Sequence, residues 1–325
     1  MYGIFISQSA SVVHRARRTK MIKLGEKKYL VGVDNGYQFV KTSSLLFENG
    51  IREMSVEPSI KDHTMRINGR FYKVGEGRAG LSRDKISDEA NRLLCYAAVA
   101  QEMRKLGLRD IDLYLAVGVP FADYGRMKRY MIDYFLKEKE IDFAYEGAFY
   151  HLNLVKVMVF PQCYSAVASR LANMKDEYCI VDIGSKTIDV VMVKDGIPNE
   201  TRSTTIETAL IKWMKHIQGE LQSRYAKSVP ESEILKVMLG RETRIQKECK
   251  MAICEMLTEF MDMVERELME RDIDPSLVKI IYVGGGATIA KNFSRLYREN
   301  VAYDCDICAN AKGYEFLAEK IIERQ

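Results

Sequence analysis

Val31-Gly32-Val33-Asp34-Asn35-Gly36-Tyr37-Gln38-Phe39-Val40-Lys41 and Ile180-Val181-Asp182-Ile183-Gly184-Ser185-Lys186-Thr187-Ile188-Asp189-Val190-Val191 share one pattern. Each is an apolar strand delivering an Asp at its end, a tight Gly-containing turn, and a second apolar strand. Asn35-Gly36 predicts a two-residue hairpin turn, in which both central residues take positive φ. A carboxylate at the mouth of such a hairpin can hold a hydrated Mg²⁺, while the N–H groups and hydroxyls of the turn face an anion. Two copies about 150 residues apart predict two similar domains closing on one polyphosphate from opposite sides.

Outward from these segments, alternation of strands and helices predicts α/β sheets with helices outside. Asn49-Gly50 turns the chain into a third strand, and Arg66–Val74 reads as a further hairpin, followed by a Gly-rich loop through Gly80. Ser87 is placed to cap a helix that buries Leu93, Leu94, Ala97, Ala98 and Leu106 and ends at Gly107. Strands are expected at Asp112–Val119 and Leu152–Phe160, with a helix near Asp123–Lys139 between them. Pro161-Gln162 starts a small-residue helix, Ser165–Ser169, that crosses to the second domain. There, strands are expected at Tyr178–Asp182, Ile188–Lys194 and Lys279–Val283, and a long helix at about Thr243–Arg271. Gly284-Gly285-Gly286 then precedes a helical stretch, Ile289–Tyr297, and lets a ligand approach the backbone without Cβ clashes.

Composition sets limits. The 325 residues suffice for two domains with ample cores. No apolar run approaches the roughly 18–20 residues that span a bilayer, so a membrane partner is not expected. Residues 1–28 carry seven basic side chains against Glu26 alone, which leaves the remainder near −2. That body has no basic face for direct DNA binding. The first residues, rich in Arg and Ser and free of acid, read as an extension, with Met21 a natural start before the first strand. Seven scattered cysteines predict reduced thiols in a cytoplasm. Cys305 and Cys308 have the spacing of half a zinc site without a second pair or a nearby His, and read as buried small apolar residues. Neither a P-loop nor a Rossmann glycine frame is present.

The order Asp34-Asn35-Gly36-Tyr37, Asp182-Ile183-Gly184-Ser185-Lys186-Thr187 and Val283-Gly284-Gly285-Gly286-Ala287 resembles the phosphate-1, phosphate-2 and adenosine motifs of the actin, sugar-kinase and heat-shock-chaperone superfamily. Phe160-Pro161-Gln162 and Ala309-Asn310-Ala311-Lys312-Gly313 resemble its two connecting helices. Tyr72–Gly77, Val117–Pro120 and Asn310–Gly313 are similar to the ParM/StbA group of bacterial actin-like plasmid segregation proteins, over about residues 29–320.

That resemblance implies an actin-like ATPase fold of two related α/β domains flanking a nucleotide cleft. Residues 1–22 would be an extension. Domain I would take 23–171 and 304–325, with a small β-rich subdomain at about 47–82. Domain II would take 172–303, with a helical subdomain at about 206–270. It implies ATP or GTP and Mg²⁺ as ligands, with Asp34 and Asp182 holding Mg²⁺ through water. Asn35, Gly36 and Tyr37 would cradle the β-phosphate, with Lys41 adding positive charge. Gly184, Ser185, Lys186 and Thr187 would face the γ-phosphate, and Gly284, Gly285 and Gly286 the adenosine. Gln162 would orient the attacking water, and Asp189 would brace the site. Ribose contacts have two candidate sources, the helix from Thr243 and the Glu207–Lys212 stretch. The implied function is a filament-forming ATPase that assembles head to tail and segregates plasmid DNA through a DNA-binding adaptor protein. A non-polymerising ATPase and a small-molecule kinase of the same superfamily are the alternatives.

Overall fold

The computed structural model describes residues 21–78, 89–207, 210–295 and 299–324. Residues 1–20, the Gly80 end of the Gly-rich loop, the Ser87 cap and Tyr297 lie outside the described residues. The first half of the chain forms β1 (Ile22–Lys23), β2 (Lys28–Asn35), β3 (Phe39–Lys41), β4 (Leu46–Glu48), β5 (Gly50–Met54), β6 (Thr64–Ile67) and β7 (Arg70–Arg78). It continues with α1 (Glu89–Lys105), β8 (Asp110–Val119), α2 (Tyr124–Leu136), β9 (Glu140–Tyr145) and β10 (Ala148–Pro161). A 3₁₀ helix, Ser165–Asn173, leads into the second half. That half holds β11 (Glu177–Ile183), β12 (Ile188–Lys194), β13 (Ile197–Ile206), α3 (Leu210–Tyr225), α4 (Glu231–Met238) and α5 (Lys247–Met269). It ends with β14 (Lys279–Val283), α6 (Gly286–Phe293), β15 (Val301–Asp304) and α7 (Ala309–Ile322).

The two halves repeat one topology. In the first sheet the order β4-β3-β2-β8-β10 has antiparallel pairs on one side of β2 and parallel pairs on the other. In the second sheet β13-β12-β11-β14-β15 has the same order and the same directions. Asp34 at the end of β2 and Asp182 at the end of β11 therefore occupy equivalent places. Across the hairpin from Asp34 stands Lys41; across from Asp182 stands Asp189.

Two sequence expectations need correction here. The extension does not run through residue 22, because Met21 is buried and Ile22 pairs with Leu30 at the sheet edge. Nor is Asn35-Gly36 a turn of two positive-φ residues. Neither has positive φ, and the chain reverses over Gly36–Phe39, with the Gly36 N–H donating to the Phe39 carbonyl at 3.0 Å. Asn35 is needed elsewhere, since its side chain bonds to Asn91 and accepts from Asn49 Nδ2 at 2.8 Å. The positive-φ hairpin turns are Asn68-Gly69, Glu146-Gly147 and Asp195-Gly196. The strands of the expected β-rich subdomain join the main sheet, because β6 pairs with β9.

The helices that follow the last strand of each sheet exchange partners. Cys163, just before the 3₁₀ helix, and Val167 within it pack on Ile180, Val191 and Val283 of the second sheet. The α7 helix packs Tyr314 and Ala318 on Leu30, Ala116 and Phe160 of the first. Where they cross, a Cβ at Gly313 would lie 1.8 Å from the Ser165 carbonyl oxygen. Glycine is thus a condition of the crossing. By contrast, a Cβ at Gly219 on the exposed face of α3 would meet nothing within 4 Å. Gly219→Ala is expected to raise stability by about 0.5–1 kcal/mol through helix propensity. Gly313→Ala is expected to lower it by about 1–3 kcal/mol or more through overpacking. Urea midpoints of the two variants check both signs.

Candidate functional site

The ends of β2 and β11, the turns that follow them, the start of the 3₁₀ helix and the start of α7 converge on one cleft. Asp34 is buried, and Lys41 Nζ lies 2.8 Å from its Oδ2. Gln162 Nε2 donates to Asp34 Oδ1 at 3.0 Å. On the other side, Asn310 Nδ2 donates to Asp182 Oδ2 at 2.9 Å. The two turns touch directly, with Ser185 Oγ donating to Gln38 Oε1 at 3.1 Å. The five motif stretches Asp34–Tyr37, Asp182–Thr187, Val283–Ala287, Phe160–Gln162 and Ala309–Gly313 are therefore brought into one place, although no single stretch of chain connects them.

The electrostatics are those of a site short of positive charge. Burial raises the Asp182 carboxyl to about 7, with Asp189 and Asp34 adding repulsion, while Lys41 and the Asn310 hydrogen bond oppose the rise. Burial pulls the Lys41 ammonium down, but Asp34 and Asp182 outweigh it and leave its pKa raised. Lys41 thus serves both carboxylates. Among the described residues no group of three or more His, Cys, Asp and Glu converges as a metal cage. A cation here would rest on Asp34 and Asp182 and keep most of its water, which is how Mg²⁺ is usually held beside phosphates. The oxygen-only donor set fits that ion.

The backbone explains several of the glycines. Gly184 N–H donates to the Thr187 carbonyl at 2.9 Å, closing the second turn, and a Cβ there would sit 2.9 Å from the same oxygen. Gly284 has φ +73°, and a Cβ on it would stand 3.1 Å from Asp182 Oδ1. Gly286 is required by packing: its Cβ would lie 2.4 Å from Ile183. Gly285 is the cap of α6 and is not crowded in this way. Cys163, directly after Gln162, is buried with φ +66°, a conformation that costs a non-glycine residue about 1–3 kcal/mol. Its N–H donates to Asn310 Oδ1 at 3.0 Å.

Of the two candidate sources of ribose contacts, the start of α3 reaches the hairpins, since the Ile211 N–H donates to the Ser185 carbonyl at 3.1 Å. Thr208 and Ala209 lie outside the described residues. Thr243 instead donates to Glu233 on α4 at 2.6 Å. Lys186 and Thr187 are half-buried in the second turn. Asp189 is buried and accepts from Thr205 Oγ1 at 2.6 Å.

Sequence reasoning passed over several side chains that hold this place together. Asn310 was visible only as part of a helix motif. Glu102, which accepts from Thr42 and Ser44, and Glu315, which accepts from Gly32 N–H at 3.0 Å and Ser43 at 3.1 Å, are both buried carboxylates. A Glu in mid-helix on an otherwise apolar face is the one signal that points to them. Cys305 and Cys308, expected to be buried, are exposed and half-buried respectively, while Cys95, Cys163, Cys179 and Cys249 are buried. A cavity of about 530 Å³ lies elsewhere, on the open face of β6, β9 and β10 around Arg66, Arg109, Phe149 and His151. No helix among the described residues is long and apolar enough to cross a membrane.

The description "Actin like proteins N terminal domain" matches residues 8–164, and "Archaeal actin homologue MreB-like, C-terminal" matches residues 180–294. No curated protein matches the sequence. Among solved structures, the archaeal actin homologue Ta0583 in complex with ADP is similar over 90% of this chain and 99% of its own, with a TM-score of 0.70 at 19% identity. ParM of Bacillus thuringiensis with ATP is similar over 92% and 100%, with a TM-score of 0.69 at 15% identity. The Alp12 filament subunit is similar over 91% and 100%, with a TM-score of 0.67 at 14% identity.

The raised Asp182 pKa sets a pH dependence for the empty protein. An unfolded Asp ionises near pH 4, whereas folded Asp182 keeps its proton to about pH 7. The folded state therefore binds more protons than the unfolded state between these values, and stability falls as pH rises through that window. Asp182→Asn cannot ionise. Without nucleotide it is expected to match wild type near pH 4 and to exceed it above pH 7, by on the order of 2–4 kcal/mol. Denaturation at pH 4.5, 6 and 8 checks the sign. With matches to both halves and the doubled fold in place, the chain belongs to the actin-like proteins.

Proposed function

We propose that this actin-like protein is a Mg²⁺-dependent ATPase that assembles head to tail into filaments and segregates plasmid DNA through a DNA-binding adaptor protein. The observation that carries the reading is the pair Asp34 and Asp182. They come from equivalent strand ends and face one cleft, and Gln162 and Asn310 hold them by charge-assisted hydrogen bonds. The ADP and ATP complexes of Ta0583 and Bacillus thuringiensis ParM support the ligand class, and the Alp12 filament supports self-assembly. The segregation role rests on the ParM/StbA resemblance at Tyr72–Gly77, Val117–Pro120 and Asn310–Gly313.

In this mechanism Asp34 and Asp182 would hold a hydrated Mg²⁺. A Mg²⁺ bound there supplies charge neutralisation at the phosphates. Lys41 holds Asp34 until ligand arrives and adds positive charge beside the β-phosphate. The turn Asn35-Gly36-Tyr37 would lie on one side of the phosphates and Gly184-Ser185-Lys186-Thr187 on the other, with the Gly36 and Gly184 N–H groups themselves closing the turns on the Phe39 and Thr187 carbonyls. Gln162 has its amide nitrogen committed to Asp34, which turns its carbonyl oxygen to accept a hydrogen from the attacking water. Positioning rather than strong basicity is the demand of such a step. Closure of two domains on one ligand favours one subunit contact over another, and hydrolysis withdraws that bias. A head-to-tail contact is heterologous and does not close on itself, as a filament needs.

Asp34→Ala and Asp182→Ala are each expected to abolish the thermal stabilisation by Mg²⁺-ATP, about 2.7 kcal/mol at 100 times the dissociation constant for wild type. Gln162→Ala is expected to keep that stabilisation and to polymerise, while hydrolysing about 10²–10⁴-fold more slowly. Its filaments, followed by light scattering and electron microscopy, should outlast those of wild type. Equal ATP-induced melting shifts in both Asp variants and wild type would refute the site. Soluble phosphotransfer without polymer would point to a kinase.

A further inference from the structure

We propose that Asn310 is a positioning residue that ties the Asp182 carboxylate of the second half to the peptide that carries Gln162 in the first, and so sets the aim of Gln162. The proposal rests on the nucleotide-site reading above and adds to it a residue that does not touch the reacting atoms.

The geometry is a relay through one amide. Asn310 Nδ2 donates to Asp182 Oδ2 at 2.9 Å, and Asn310 Oδ1 accepts from the Cys163 N–H at 3.0 Å. Gln162, the residue before Cys163, donates to Asp34 Oδ1 at 3.0 Å. An unbroken path therefore runs from Asp34 through Gln162, the Gln162–Cys163 peptide and Asn310 to Asp182. Only an amide on a short stem serves as the middle member. Asp has no donor for a carboxylate, Leu has neither group, and Gln is one methylene too long for both contacts. Both partners also fix which way the amide points, since a carboxylate accepts and an N–H donates.

Two further features fix the relay in place. Asn310 is buried, and the α7–3₁₀ crossing at Gly313 holds it against the strand end. Cys163 is fully buried at φ +66°, where a side chain is disfavoured, and its sulfur is seated against the carbonyls of Ile180 at 3.5 Å and Asp189 at 3.6 Å. Strained residues of this kind persist where their surroundings over-determine them. The Asn310 acceptor is one of the groups that hold this peptide, and Gln162 is oriented by the same peptide. Tyr314, one helical turn beyond Asn310, lies beside Gln162 without a well-formed hydrogen bond of its own, whereas Asn310 bonds the Gln162–Cys163 peptide directly.

A double-mutant cycle on single-turnover hydrolysis of Mg²⁺-ATP tests this, using the full chain as wild type, Asn310→Ala, Gln162→Ala and the double variant. Outer partners of a catalytic site commonly matter by about 10–100-fold. Asn310→Ala is expected to lower the hydrolysis rate by about that factor while changing ATP affinity less than about threefold. In the Gln162→Ala background the same change is expected to have no further effect, because the residue it acts through is gone. Asn310→Ser, which keeps a polar group but cannot reach both partners, takes its place with the same expectation should the Ala variant not fold. Multiplying losses in the double variant, or a rate within threefold of wild type for Asn310→Ala, would overturn the proposal while leaving the site reading intact. A wild-type protein with no response to Mg²⁺-ATP would overturn both.

Discussion

The carbonyl oxygen of Ser165 lies where any side chain at position 313 would have to be. That contact draws two helices together at the seam between two sheets, and the cleft depends on it. Because each helix packs on the sheet of the other half, the seam is a mutual clasp rather than a linker. Gly32 belongs to the same arrangement, since a Cβ there would come within 2.3 Å of the Ala311 carbonyl. The strand that ends in Asp34 thus runs directly beneath the helix that begins near Asn310. Backbone contact at this distance leaves little room for the two carboxylates to drift apart.

Such closeness has an electrostatic cost that the protein meets with few groups. Asp34, Asp182 and Asp189 face Lys41 as the cation coupled to the first two. Water is a poor screen for a half-buried site, so a like-charged pair there favours protonation or a bound cation. At Asp182, burial and the neighbouring carboxylates favour the first of these. Binding a cation supplies the second, and the stability gained on binding is then the stability withheld before it. A cleft built this way responds to its ligand more strongly than one neutralised by its own side chains.

Much of this was legible because it is local. Asp34, Asp182, the apolar strands around them and the Gly284–Gly286 stretch all declare themselves within a dozen residues. The two-sheet architecture followed from repeating that pattern. The turn at Asn35-Gly36 misled because turn chemistry describes a hairpin in isolation, whereas here the Asn35 side chain bridges Asn91 and Asn49 and the reversal moves along the chain. The extension was drawn too long for a similar reason, as burial of Met21 depends on what packs over it. Asn310, Glu102 and Glu315 were passed over because their partners are far away in sequence. Glu315 is 283 residues from the Gly32 N–H it accepts.

The repeat also shows where the halves have diverged, and the divergence lies at the site. Opposite Asp34 in the first hairpin stands a lysine; opposite Asp182 in the second stands an aspartate. In β-sheets a directly opposed unlike pair is favourable and a like pair is not. The first hairpin is therefore satisfied internally, by an ion pair at 2.8 Å. The second is not, and its two carboxylates must look outward, Asp189 to Thr205 and Asp182 to Asn310. Asp34 is thus held by a lysine as well as by the Gln162 amide, whereas Asp182 is held by the neutral amide of Asn310. The charge of Asp182 is the one left for something entering the cleft to satisfy, and the asymmetry of one opposed residue turns a duplicated fold into a site with a direction.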